Sequence, residues 1–193
     1  VGPTTFGYQN LGFGAGGSAA AGALTLIKAN TFSGDSSVTV NNIEEDVYDV
    51  HFFTCELTGS HQDITIFFDF STDNGSSFLT ANLAYSKSFG QTDGTFNQST
   101  NTSLYGINFM QSADTNLGGG GYAYFFSLGD SGRHSYVSSH AAFERSGDND
   151  VKRFEFGGGS TTSDQTVNAF RIYPNIASPG ITGNYALYGL EQS

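Results

Sequence analysis

The chain has 193 residues, room for one domain with a sizeable core, and its 26 Gly, 18 Phe and 10 Tyr with no Trp point to an all-β architecture of large rings set between polar, glycine-rich connections. Seven basic against 18 acidic residues give a formal charge of −11, and the three Lys and four Arg are scattered, which excludes the clustered cations of a nucleic-acid surface. No run reaches the roughly 18–20 apolar residues of a membrane span, the longest candidate being Ala19 to Ile27; the first residues carry no basic leader segment.

Residues 1–23 differ from everything that follows. Gly and Ala alternate with isolated Phe6, Tyr8, Leu11 and Phe13, there is no charge, and no helical or strand period fits. Such a segment cannot bury a core of its own, but its spaced rings could dock on another surface. It is read as an extended attachment arm, with Phe6, Tyr8, Leu11 and Phe13 as the partner-binding residues.

Residues 24–193 change to short apolar and aromatic runs separated by turn chemistry, the spacing of β-sandwiches and barrels. Predicted strands are Leu24–Phe32, Ser37–Val40, Val47–Leu57, Asp63–Phe70, Phe78–Tyr85, Leu104–Met110, Tyr122–Leu128, Ser135–Phe143, Lys152–Phe156, Val167–Tyr173 and Tyr185–Leu190. Val47–Leu57 is almost continuously apolar and is expected in the middle of a sheet. In Asp63–Phe70 the residues Ile64, Ile66, Phe68 and Phe70 share one face, while Thr65, Phe67 and Asp69 share the other. The Asn74-Gly75 dipeptide after it predicts a tight hairpin, pairing this strand antiparallel with Phe78–Tyr85. Gln91–Ser103, Asp114–Gly121, Ser146–Asp150 and Gly157–Asp164 read as surface loops. Cys55, alone in the chain and inside a strand, is expected to be a small buried apolar residue.

Several motifs invite a chemical reading. Gly12, Gly14 and Gly17 have the dinucleotide-binding spacing, but no strand precedes them and no helix follows. Gly129-Asp130-Ser131-Gly132 looks like a serine-protease nucleophile segment, yet His51, His61, His134 and His140 lack the matching surroundings, so a turn is expected. His134 and His140 share strand parity, as does Glu144, a weak metal pattern better read as surface or interface histidines. Asp73-Asn74-Gly75 and Asp148-Asn149-Asp150 offer loop oxygens for calcium without the ligand spacing of a helix-loop-helix site, and no cofactor is expected. No carboxylate pair stands out as acid and base. Most of the rings are expected in the core or at subunit contacts; exposed tyrosines stacking on sugar rings are the alternative use.

The C-terminal run Val167-Asn168-Ala169-Phe170-Arg171-Ile172-Tyr173, then Asn175-Ile176, Gly180 and Ala186-Leu187-Tyr188-Gly189-Leu190, resembles small virion structural proteins of tailed bacteriophages. Tyr48-Asp49-Val50 and Phe68–Ser76 look like the same family's strand and hairpin. The likeness spans residues 24–190 and is most specific in the last 25, with departures at Pro174, Pro179 and Asn74 that bear on turn shape. It implies a jelly-roll β-sandwich, a homotrimer, and a place in the virion as capsid decoration, cement or fibre, partnered by other capsid or tail proteins. Non-catalytic assembly is therefore the first expectation and a host-glycan-binding module on the virion the alternative, with a hydrolase a distant third.

Overall fold

The computed structural model describes residues 23–59, 64–79, 81–102, 106–113, 118–144, 151–176 and 180–190. The attachment residues Phe6, Tyr8, Leu11 and Phe13, the glycine motif at 12–17, His61 and the acidic loop at 148–150 lie outside the described residues. Twelve strands and no helix are found among them: β1 (Leu24–Asp35), β2 (Val38–Asn41), β3 (Val50–Gly59), β4 (Ile64–Ser71), β5 (Leu83–Gln91), β6 (Phe96–Thr102), β7 (Ile107–Ala113), β8 (Gly119–Phe126), β9 (Tyr136–Glu144), β10 (Lys152–Thr161), β11 (Ala169–Pro174) and β12 (Ile181–Leu190).

The fold is an antiparallel β-sandwich of unequal layers. One sheet has eight strands in the order β1-β12-β3-β8-β9-β10-β5-β6, the other four in the order β2-β11-β4-β7. Period-two alternation decides which side of each strand enters the core. On β3 this places Phe53, Cys55 and Leu57 inside; on β4, Ile64, Ile66, Phe68 and Phe70 are wholly buried. The centre is a ring cluster, with Phe68 and Phe109 4.5 Å apart, Phe125 and Phe170 4.6 Å, and Phe53 edge-on to Phe170 at 5.3 Å. Such offset and edge-on pairs add to the burial of ring area. The reverse side of β4 is covered too: Phe67 stacks on Tyr173 at 5.7 Å, and buried Asp69 accepts from Arg171 at 2.9 Å. Arg171 in turn lies 4.1 Å over the Phe78 ring.

Three sequence expectations are corrected. β4 does not form a hairpin with the next strand: its neighbours are β11 and β7, and β5 belongs to the other sheet between β10 and β6. The turn does form, with Asn74 and Gly75 at positive φ and Leu79 N–H donating to the Phe70 carbonyl at 2.9 Å. Asp73 holds it by accepting from the Ser71 hydroxyl, the Ser77 hydroxyl and the Ser77 N–H, and the chain then crosses layers before β5 begins at Leu83. The stretch read as a loop at Gln91–Ser103 contains β6, an edge strand whose polar NQSTNT sequence carries no apolar alternation. The glycine runs read as loops at 119–121 and 157–159 are strand interiors. At Gly159 a Cβ would sit 2.8 Å from the Ile107 side chain, so the bare backbone lets the two layers approach.

Candidate functional site

In an antiparallel pair, residues directly opposite point to the same side, so register defines the outer face of the eight-stranded sheet. Tyr188, Phe52 and Tyr124 are in register on β12, β3 and β8, with Phe52 4.8 Å from Tyr124 and 6.2 Å from Tyr188. One row along stand Thr54, Tyr122, His140 and Phe156. Here Tyr122 and His140 stack at 5.1 Å and 11°, and Phe156 lies 6.4 Å beyond. The next row is Asn184, Glu56, Gly120, Ala142 and Phe154.

Among the described residues, every exposed large apolar side chain but Val47 lies on this face. β1 contributes Leu24 and Leu26, β8 Tyr122, Tyr124 and Phe126, β9 Tyr136, β10 Phe154 and Phe156, and β6 Phe96. A contiguous exposed apolar surface of this kind marks an interaction site. It is poor in charge: Glu56 stands in it, and the Lys152–Glu144 pair at 3.1 Å closes one margin. Where Gly120 and Ala142 provide no large side chain, the face dips into a trough of about 630 Å³. Phe154, Phe156, Tyr122 and His140 wall it on the aromatic side, Glu56 and Asn184 on the polar side.

The residues singled out by sequence take quieter roles. His140 stands on the outer face and His134 precedes β9, each imidazole is engaged by a tyrosine ring, and His134 also meets Asp164 at 3.2 Å; no cluster of three metal-ligating side chains is found among the described residues. His51 is buried with Nε2 2.7 Å from the Ile43 carbonyl, and burial holds its pKa below the usual value. Gly129-Asp130-Ser131-Gly132 is a turn closed by the Asp130 carboxylate accepting from Gly132 N–H at 2.8 Å. The oxygens of Asp73 are taken up by serine donors, which depress its pKa to about 2. Cys55 is buried as expected, its thiol pushed up to about 12 by desolvation.

The aromatic face itself was not singled out by sequence. Its signal was present in Tyr122-Ala123-Tyr124-Phe125-Phe126, where both parities carry rings although only one can enter the core. The chain matches no protein-family model and no curated protein sequence.

Proposed function

We propose that the chain is a non-catalytic structural protein of a bacteriophage particle, a decoration, cement or fibre subunit of jelly-roll type. In this reading it self-associates as a homotrimer, while residues 1–23, through Phe6, Tyr8, Leu11 and Phe13, attach it to other capsid or tail proteins. The observation that carries the reading is the aromatic outer face. From β1 to β10, five inter-strand spacings of about 4.8 Å and four cross-strand rows about 7 Å apart, the fourth being Leu190, Val50, Phe126 and Tyr136, give its aromatic part roughly 500 Å², more than half of the ~800 Å² that one partner contributes to a standard interface. With one carboxylate inside it, the face can be buried against a different surface of a neighbouring copy around a threefold axis without bringing strong charge into the contact, although the chain as a whole carries −11.

The test is the solution mass of the full chain and of a chain lacking residues 1–23, followed by incorporation into particles. Trimers in both, with incorporation lost only on truncation, support the reading; a monomer at every concentration removes it.

A second reading has its own observation. Glu56 and Asn184 beside Tyr122, His140 and Phe156 put hydrogen-bonding groups next to a stacking platform, an arrangement suited to a neutral sugar ring, so the trough would serve a glycan-binding module on the virion. Glycan-array binding that Glu56→Gln abolishes would favour it; a silent array would count against it.

A further inference from the structure

A second constellation lies on the inner side of the same sheet, independent of any partner. Lys87 of β5 points into the sandwich, 3% exposed, and its Nζ donates to Asn108 Oδ1 at 2.8 Å and to Glu155 Oε2 at 2.9 Å. Asn108 on β7 is 8% exposed and Glu155 on β10 is 3% exposed. An amine, a carboxamide and a carboxylate thus meet away from water, contributed by three strands of two layers.

We propose that Lys87 and Asn108 condense into an intramolecular isopeptide bond, with Glu155 moving the protons. The amide carbon is one C=O length, about 1.2 Å, from the oxygen that Nζ already touches, which puts it within about 4 Å of the nucleophile. A contraction of less than 1 Å reaches attack distance. Glu155 takes a proton from the ammonium, and the neutral Nζ attacks Cγ to form the new C–N bond. The Glu155 acid then protonates Nδ2, the Cγ–Nδ2 bond breaks and ammonia leaves; the second Nζ proton passes through Glu155 to the departing ammonia. Lys–NH3⁺ and Asn–CONH2 become Lys–NH–CO–Asn and NH4⁺, with Glu155 regenerated and no oxidant or reductant required.

The surroundings favour this chemistry. Burial lowers the Lys87 pKa, and the neighbouring Arg153 charge lowers it further against the opposing pull of Glu155, which makes the neutral amine accessible. Arg153, with Nη1 3.5 Å from Glu155 Oε1, remains to compensate the carboxylate once the lysine charge has gone. Gly157 lies opposite Lys87, and a Cβ there would come within 2.5 Å of the lysine Cβ. Glycine at 157 therefore clears the inward path of the lysine, as Gly159 clears room for Ile107 next to Asn108.

The test is the intact mass of the purified full-length chain under denaturing conditions, followed by a peptide map. The expected result is a chain lighter by one ammonia, about 17 Da, and a branched peptide joining the segments around Lys87 and Asn108. Lys87→Arg and Glu155→Gln should run at full mass, and Asn108→Asp should lose water in place of ammonia. Succinimide formation at Asn74-Gly75 gives the same mass loss, and the map separates the two because it leaves no branch and no blocked cleavage at Lys87. A wild-type chain at full mass after prolonged incubation at neutral pH overturns the proposal without recourse to any variant, as does a mass loss with no branched peptide.

Discussion

Replacing Phe154 and Phe156 together with Ser tests whether the aromatic face is an association surface. Both rings project outward from β10 and are 56% and 48% exposed in the single chain. Taking about 200 Å² for a phenylalanine side chain leaves roughly 110 and 95 Å² for a partner to cover. At ~25 cal/mol per Å² this is about 5 kcal/mol for the pair, an upper figure because ordering at an interface offsets part of it. The double variant is therefore expected to raise the concentration midpoint of self-association about a thousandfold, measured by sedimentation velocity over a dilution series. Neither ring contributes to the core, so the unfolding free energy of the dissociated chain, from urea titration, should stay within about 1 kcal/mol of wild type. A stable variant whose association midpoint moves less than about tenfold would refute the assignment of this face.

Phe68→Ala removes a fully buried ring in contact with Phe53, Phe109, Phe125 and Phe170; it should cost about 3–5 kcal/mol, and thermal unfolding should show a fall of about 10–15 °C. Asp69 is held up at about 6 by burial, against the pull of Arg171. The folded chain therefore binds a proton more tightly than the unfolded one, and its contribution to stability is full below about pH 4 and declines as pH rises through 6. Asp69→Asn should flatten the urea stability profile across that window by about 2–3 kcal/mol; an unchanged profile would show that Asp69 titrates normally. Cys55, buried with its thiol at about 12, should label with an aromatic disulfide reagent only after unfolding; rapid labelling of the native chain would contradict its placement.

The parts of the fold that could be read from sequence are those where one face of a strand is apolar and the other is not. β4 and the buried side of β3 are of this kind, and their residues fall where alternation puts them. Pairing was less legible, because Asn74-Gly75 specifies a local turn and not the layer to which the chain returns. β6 has no hydrophobic pattern because it is an edge strand with almost every residue exposed. The glycines of β8 and β10 look like linker sequence, but several mark places where neighbouring chain leaves no room for a side chain. The attachment residues proposed for the arm lie outside the described residues. Lys87, Asn108 and Glu155 could not be grouped from sequence: they are 21 and 68 positions apart, and only the packing of two layers brings them together.

The register of the outermost strands has a mechanical consequence. Leu24 lies opposite Leu190, and from there β1 and β12 run side by side to the pair Asp35 and Ile181. Tension applied between residues 24 and 190 would open that ladder one rung at a time from its corner, the direction in which paired strands resist least. A sandwich loaded in that way unzips at low force, whereas one suspended from its first strand alone transmits no load through the ladder. The geometry suits a pendant hung from one corner better than a link in a chain under tension.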